Sequence, residues 1–475
     1  MLRIITGIIL GLLSQSSLAQ ATIDWAELAK QDLMAMHDYL RQDSPGSVDS
    51  DNTEFNLWLE KGLHQALKKT QTITTPAGYL YTLRFYQNGF HDKHIALESR
   101  SVGTLLTAKW PGFTVRYQNQ RFKIYTSQDP QEYPQGTEIL SCDNLSLIQL
   151  MQRNVFPFFG NSHLPGDWLS RAPLLFTDYG NPWILKPKRC QFSYQGRHWS
   201  RSLTWQPLDL AKEQTLVKAY DYQPVLGVKP FAKTGLWINL ATFAPENKQV
   251  NMLKHIVAEA ASYRNYQPLV IDVRGNGGGS SSWGSELLEN LYGEDFYSWA
   301  TRSTHNTYEE FRVSKRNADY IRSHFLPMIA AHYPKQHWQY QTMLKLLECM
   351  STTQQPFCKL ADPMPANIPN KQPINPLTQK IYLLTDGRCS SSCQTFVAEA
   401  LHFPNVIQVG QTTDANSCYG EIQAVGLQSG AVFIFPMAAN RNRTFCPNKP
   451  FFPVHEYRQD INSTQALEAW IVSLN

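Results

Sequence analysis

The 475-residue chain contains few charged residues and no concentration of charge of either sign. Charged residues make up 17% of the chain, below the roughly 25% of ordinary globular proteins, and the formal net charge is +4. No dense Lys/Arg tract is present, so the electrostatic pattern of a nucleic-acid-binding protein is missing. Apolar residues reach 42%, which excludes a disordered chain and predicts real hydrophobic cores. No stretch after the N-terminal segment is long and apolar enough to span a bilayer.

The first 19 residues have the order of a secretory signal peptide. Arg3 supplies a positive start, residues 4–13 are almost continuously apolar, and Ser17 and Ala19 are small residues at the −3 and −1 positions of a cleavage site. The apolar run is well short of the ~20 residues of a membrane span, although an uncleaved anchor is the alternative. We therefore expect cleavage after Ala19 and a periplasmic or secreted protein.

The eight cysteines all lie after this segment, and no CxxC motif or zinc-like clustering with histidine is present. An even number of cysteines in an exported chain indicates up to four disulfides. Neighbourhood in the sequence favours Cys142 with Cys190 and Cys349 with Cys358. The remaining four would then pair among themselves: Cys389, Cys393, Cys418 and Cys446.

The hydrophobic pattern divides the mature chain into three parts. Residues 20–104 are mainly helical by apolar periodicity, with strand-like alternation over residues 78–98. Residues 105–208 contain short β-rich runs. Residues 209–475 alternate buried strands with helices, which predicts an α/β fold, and they enclose a mainly helical, Pro-rich insertion at residues 283–378.

One candidate site follows the apolar strand at residues 268–273, where the sequence reads Asp-Val-Arg-Gly-Asn-Gly-Gly-Gly-Ser. Ser280 stands where a dinucleotide-binding motif needs glycine, so that motif is not matched. No Gly-Lys-Ser/Thr follows, so the phosphate-binding loop motif is not matched either. Backbone N–H groups of such a turn can bind a developing oxyanion. A tight strand-to-helix turn without a ligand is the alternative.

A second candidate site is the Cys-Ser-Ser-Ser-Cys-Gln stretch at residues 389–394, which also lies between a buried strand and a helix. A serine here has its hydroxyl beside the free N–H groups of a helix N-terminus. Serine is also the preferred N-cap residue, so the stretch alone indicates capping as readily as catalysis. It does not match the Gly-x-Ser-x-Gly nucleophile motif.

Together the two stretches resemble the C-terminal processing, or tail-specific, serine peptidases, a family that includes the tricorn core. Residues 269–279 are similar to the family's glycine motif, and Ser391-Ser392-Cys393-Gln394 is similar to its Ser-Ala-x-Glu nucleophile motif. The resemblance implies a crotonase-like (ClpP-type) α/β core. Beside this core we expect an N-terminal helical region and a helical insertion. It also suggests that residues 105–208 form a PDZ-like β-rich module.

The resemblance selects Ser391 as the nucleophile, because the family's interval to the glycine that ends the next strand, counted back from Gly410, reaches Ser391 rather than Ser390 or Ser392. The position of the family's catalytic lysine is Asn416, and no lysine lies between Ser391 and Lys449. Serine needs a base to attack at neutral pH. The tricorn-like alternative to lysine is a histidine from the N-terminal part.

That histidine is His94, within an Asp-x-His pattern, with His91 as the second choice. Glu421 is the first candidate for the carboxylate that orients it, and Glu456 is the second. Gln394 replaces the family's glutamate; it can form hydrogen bonds but cannot act as a base. Disulfides involving the two cysteines that flank Ser391 are expected to brace the catalytic turn.

These residues predict a serine-type peptidase that hydrolyses peptides or unfolded proteins without a metal or cofactor. The N–H groups of Gly277, Gly278 and Ser392 would form the oxyanion hole. The missing lysine and Gln394 leave open a non-catalytic protein on the same fold that binds peptides or apolar ligands. An acyl-transferring crotonase relative is the third interpretation, and no basic patch that would suit a nucleotide-bearing acyl carrier supports it.

Overall fold

The structure is a computed structural model, and it describes residues 23–209, 225–331, 333–361, 368–415, 418–443, 446 and 448–474. The predicted signal peptide and Asn416 lie outside the described residues. No helix within the described ranges combines the length and the apolar character that a bilayer crossing requires.

The helices are, in chain order, α1 (Trp25–Asp43), α2 (Thr53–Thr70), α3 (Pro76–Asn88), α4 (Arg100–Gly103), α5 (Leu147–Asn154), α6 (Pro165–Arg171), α7 (Asn247–Ala258), α8 (Ser282–Tyr292), α9 (Glu294–Thr301), α10 (Lys315–Tyr320), α11 (Leu326–Ala330), α12 (Trp338–Thr352), α13 (Ser392–Ala400) and α14 (Thr464–Val472).

The strands are β1 (Ala96–Glu98), β2 (Lys109–Trp110), β3 (Phe113–Gln118), β4 (Arg121–Ser127), β5 (Glu138–Cys142), β6 (Leu145–Ser146), β7 (Arg189–Tyr194), β8 (Arg197–Ser202), β9 (Gln206–Pro207), β10 (Gly227–Phe231), β11 (Gly235–Asn239), β12 (Leu269–Asp272), β13 (Tyr308–Arg312), β14 (Phe357–Ala361), β15 (Ile381–Thr385), β16 (Val406–Gly410), β17 (Tyr419–Gly426), β18 (Val432–Arg441) and β19 (His455–Glu456).

The N-terminal helices α1, α2 and α3 pack together around one apolar cluster. Each begins at a polar cap, because the side chains of Asp24, Asn52 and Thr75 accept hydrogen bonds from backbone N–H groups of the first turn. The strand structure predicted for residues 78–98 is wrong for most of that range. Helix α3 extends to Asn88, and β1 is the strand within this range. Residues 77–83 of α3 are all buried, so the helix has no polar face to reveal its period.

The β-rich segment forms a sheet with the strand order β3-β4-β5-β7-β8, and β6 pairs with β5. The predicted disulfide between Cys142 and Cys190 is present and joins directly paired residues of β5 and β7. The likeness of this segment to a PDZ module and the domain boundaries given above stay predictions.

The α/β core is a sheet with the order β10-β11-β12-β15-β16-β19, in which β11, β12, β15 and β16 run parallel. Every residue of β12 and β15 is buried, as expected for strands covered on both faces. Helices α7, α8 and α13 pack on one face and α14 packs on the other. The predicted α/β core is therefore confirmed.

A second, antiparallel sheet has the order β1-β18-β13-β14, with β17 also paired to β18. Strands β13 and β14 belong to the insertion at residues 283–378. The insertion, which was predicted to be mainly helical, therefore also contains strands. The predicted disulfide between Cys349 and Cys358 connects α12 to β14. Because β13 pairs with β18, the insertion is connected to a strand near the C-terminal end of the chain.

Candidate active site

The two candidate turns lie at the same edge of the core sheet. Strands β12 and β15 are parallel neighbours, with Asp272 paired to Leu384, and each strand leads through a turn into a helix. Turns at the carboxyl ends of adjacent parallel strands must meet, and this edge is where open α/β sheets bind ligands. The topology therefore brings together stretches that are more than a hundred residues apart in sequence.

The glycine turn is held rigidly by buried polar side chains. Asn276 is fully buried; its amide donates to the Leu240 carbonyl (2.8 Å), while its Oδ1 accepts from the Gly278 N–H (2.9 Å). Gly278 has φ +98°, and a Cβ atom there would lie 2.7 Å from Cβ of Ser391. Glycine is thus required at this position both for its backbone conformation and for its close approach to the serine turn.

Ser391 occupies a strained backbone position between β15 and α13, with φ 54° and ψ −126°. This region is costly for a non-glycine residue and is found chiefly at functional sites. The predicted bracing by flanking cysteines is present, since Cys389 and Cys393 form a disulfide across the serine. The strained turn is therefore closed covalently on both sides of Ser391.

The three adjacent serines have different partners. The Ser390 hydroxyl donates to the Gly277 carbonyl (3.3 Å), and the Ser392 hydroxyl donates to the Gly279 carbonyl (2.6 Å). The hydroxyl of Ser391 instead lies 3.2 Å from Nε2 of His94. The family's spacing to Gly410 and the position of His94 thus indicate the same serine.

His94 is held by the residue two positions before it. Its backbone N–H donates to Oδ1 of Asp92 (2.8 Å), and its Nδ1 lies 4.0 Å from the same oxygen. Nδ1 is buried and has no hydrogen-bond partner among the described residues. Asp92 is therefore the carboxylate that lies against the histidine, and the sequence offered a signal for it in the Asp-x-His spacing.

The geometry does not support the roles predicted for two glutamates. Glu421 lies on β17 with an exposed side chain, and the buried Nδ1 of His94, which it would have to engage, forms no hydrogen bond with any described residue. Glu456 is also exposed and pairs with Arg458 (2.9 Å). Asp92 instead lies against His94, on the Nδ1 side of the ring.

The predicted oxyanion donors are not equivalent. The N–H of Gly278 is already engaged by Asn276, whereas those of Gly277 and Ser392 have no acceptor among the residues that the structure describes. The Ser392 N–H is at the N-terminus of α13, where unpaired donors favour negative charge. Ser392 and Gly277 are thus the donors available beside Ser391.

Gln394 is fully buried in the first turn of α13, and its amide donates to the Asp414 carbonyl. The Asp414 side chain contacts Lys93, whose ammonium also lies 3.0 Å from Oδ1 of Asp167. Burial raises the pKa of Asp414 above its usual range, although Lys93 opposes the shift. The sequence did not reveal this charged cluster, because its members come from three distant segments.

His91, the second choice for the base, does not take that place. It has φ 50° and lines a cavity with Arg84 and Arg171. Burial lowers the pKa of His91, and the neighbouring His163 lowers it further. Its environment thus favours a neutral imidazole near neutral pH, away from the Ser391 hydroxyl that His94 contacts.

The sequence model of peptidase family S41 matches residues 234–443, which include both turns and the core sheet. This part of the chain matches peptidase family S41. The protein is a serine-type peptidase, and its core has the α/β fold of the C-terminal processing peptidases. The match begins after the segment that carries His94, so it does not identify the base.

Solved structures share the fold of this chain. Mature CPAF is 14% identical, with a TM-score of 0.61 over 95% of this chain and 96% of that chain. Mature CPAF complexed with lactacystin gives 14% identity and a TM-score of 0.62 over 95% and 99%. A search of curated proteins found no significant match. At this identity the likeness concerns the fold, and it extends over nearly the whole chain.

Proposed function

We propose that the protein is an exported serine endopeptidase in which Ser391 is the nucleophile and His94 is the base. The observation that carries this proposal is the 3.2 Å distance between Nε2 of His94 and Oγ of Ser391. This distance is at the edge of hydrogen-bonding reach, as is common before a substrate is bound. The strained backbone of Ser391 and the free N–H groups beside it support the same assignment.

The reaction follows from these positions. His94 removes the Oγ proton as Ser391 attacks the scissile carbonyl, and the N–H groups of Ser392 and Gly277 stabilise the oxyanion. The C–N bond then breaks, His94 gives the proton to the leaving amine, and an acyl-enzyme remains. Water repeats the sequence and releases the acid. Gly278 would join the oxyanion hole only if Asn276 released its N–H.

Asp92 is proposed to orient His94 in place of Glu421. Its Oδ1 fixes the backbone of His94 and lies on the Nδ1 side of the ring. A negative charge at this distance stabilises the imidazolium that forms during the reaction. Export is inferred from the signal-like residues 1–19 and from the disulfides, which persist in oxidising compartments.

The test compares the mature protein with Ser391→Ala and Ser390→Ala on a mixed peptide library, with mass spectrometry to locate the cuts. We expect cleavage by the parent and by Ser390→Ala, and none by Ser391→Ala. His94→Gln should lose activity by at least about 100-fold, the usual contribution of a general base. Equal cleavage by parent and Ser391→Ala would contradict the assignment, as would a folded parent that cuts nothing.

A further inference from the structure

A cavity of about 270 Å³ lies against the loop that carries His94. Its wall includes residues 91–93 and 95–97 of this loop, but not His94 itself, whose side chain is turned to Ser391. The other walls come from α3 and from residues 158–171. The cavity is thus distinct from the serine turn, although one loop borders both.

Arg84 projects into this cavity without a carboxylate partner. Its guanidinium lies over the rings of Phe159 (4.8 Å) and Tyr81 (5.6 Å). No aspartate or glutamate among the described residues is within ion-pair distance of it. Burial lowers the pKa of Arg84, and the positive charge of Arg171 acts in the same direction. The guanidinium forms a hydrogen bond with Tyr81, which opposes the shift. A largely desolvated guanidinium without a carboxylate partner is unfavourable, and a bound anion would offset this cost.

Arg171 lies at the end of α6 and borders the same cavity. Its Nε is buried without a hydrogen-bond partner among the described residues, and it is 4.0 Å from Oδ1 of Asp167. That oxygen is already 3.0 Å from the ammonium of Lys93, and the other oxygen accepts from the Asn161 N–H (2.8 Å). Asp167 therefore has little capacity left for Arg171.

The carboxylates around the cavity are engaged by groups other than the two arginines. Three permanent cations, Arg84, Lys93 and Arg171, face two carboxylates, Asp92 and Asp167. Lys93 contacts Asp167 and also Asp414, which lies outside the cavity lining. Asp92 accepts the His94 N–H, and Asp167 accepts the Asn161 N–H. The two arginines therefore line the cavity without a close carboxylate partner, since Arg171 is 4.0 Å from Asp167.

We propose that this cavity binds a small oxyanion, a carboxylate or a phosphate, between Arg84 and Arg171. Guanidinium groups bind both anions through paired N–H donors, which compact ammonium groups cannot do. The site goes beyond the proposed peptidase function and does not depend on it. Because Asp92 lines the cavity and also holds the backbone of His94, an anion there would stabilise the loop that positions the base.

The experiment measures the melting temperature of the full mature chain at constant ionic strength, with chloride replaced by inorganic phosphate or by acetate. A ligand that binds only the folded state raises the melting temperature as its concentration rises above Kd. We expect a rise for the parent and none for Arg84→Met or Arg171→Gln. Without the anion, Arg84→Met should be at least as stable as the parent, because a largely desolvated charge without a carboxylate partner has been removed.

Arg41→Met is the matched control, since Arg41 is an exposed arginine on α1 that pairs with Asp38. It should keep the full response of the parent. A second pair of probes, N-acetylalanine and its amide, distinguishes a chain-end carboxylate from a free inorganic anion: a response to the acid alone would identify a chain end as a ligand.

Two results would overturn the proposal. The first is an equal rise in the parent and all three variants, which would be a general salt effect. The second is no rise in the parent with phosphate, acetate or N-acetylalanine. If Arg84→Met does not fold, Arg171→Gln decides the question by the same criteria.

Discussion

At the scale of single residues, the site depends on backbone positions as much as on functional groups. Ser391 is held at φ 54°, and Gly278 opposite it is held at φ 98°. The identity of the nucleophile could be predicted, because the two motifs and their spacing are written in the sequence. The carboxylate was predicted wrongly as Glu421 or Glu456, although the Asp-x-His spacing places Asp92 two residues before His94.

Gly278→Ala should nearly abolish peptidase activity. The added Cβ would lie 2.7 Å from Cβ of Ser391 and 2.9 Å from the Ser390 carbonyl, so the serine turn must move. A displacement of about 1 Å in a catalytic group costs about 100-fold, and we expect a loss of kcat/KM of at least this size. Gly196→Ala is the control, because Gly196 also has a positive φ (78°) but open space around its Cβ position. Comparable losses in both variants would disprove the steric argument.

Glu399 should make stability depend on pH. It lies between the Tyr297 hydroxyl and the Ser285 hydroxyl (2.9 Å to the latter), and burial raises its pKa. Because the folded-state pKa lies above the unfolded value of about 4.3, its contribution to stability is full below that pH and is lost as the pH rises through the folded pKa.

Glu399→Gln should therefore gain stability relative to the parent as the pH rises, and urea unfolding between pH 4 and 8 measures this difference. The exposed Glu348→Gln should follow the parent at every pH. Parallel curves for the parent and Glu399→Gln would refute the prediction.

At the scale of secondary-structure elements, burial and pairing determine which helices and strands can be predicted from the sequence. The apolar runs of β12 and β15 lie within a parallel sheet. They could be predicted as strands because they are short and bounded by turns. Helix α3 was missed since it is buried on nearly all sides. Strands β13 and β14 could not be predicted, because β13 pairs with β18, far away in sequence, and β14 pairs with β13 across the helices between them. A local sequence pattern does not report such pairing.

The disulfides should divide into one that serves the site and others that serve the fold. Cys389 and Cys393 are only four residues apart, so loop closure accounts for about 2 kcal/mol of stability. Cys142 and Cys190 are 48 residues apart, for which the same relation gives about 4 kcal/mol.

We expect the double variant Cys389→Ala/Cys393→Ala to lose most activity while remaining folded. Cys142→Ala/Cys190→Ala should lose more stability yet cleave peptides at nearly the parent rate wherever it is folded. Activity assays combined with urea unfolding measure both effects. Full activity of the first double variant would show that the covalent closure around Ser391 is dispensable.

At the scale of the whole molecule, Lys93 connects three parts of the chain. It follows the N-terminal helices, Asp167 lies on α6 within the β-rich segment, and Asp414 follows the core strand β16. All three side chains are largely buried. Removing one member of such a cluster leaves uncompensated charge and typically costs about 3–5 kcal/mol.

Lys93→Met should therefore destabilise the protein by about this amount at pH 7. The cost should shrink at pH 5, because burial already raises the pKa of Asp414 and, without the opposing ammonium, this carboxylate takes up a proton more readily in the folded state. Chemical unfolding at the two pH values measures the effect. Lys315→Met, which removes an exposed i,i+4 pair with Asp319, should change stability by less than about 0.5 kcal/mol. A loss that is independent of pH would contradict the assignment.

The separation of 297 residues between His94 and Ser391 has a consequence for biosynthesis. At roughly 5–20 residues per second, the ribosome makes the histidine about 15–60 s before the serine. Strand β19 and helix α14, which complete the core sheet and its second face, emerge later still. Nascent chains and prematurely terminated products that end before Ser391 thus lack the nucleophile and cannot cut anything, and hydrolytic activity becomes a report that synthesis has passed the serine.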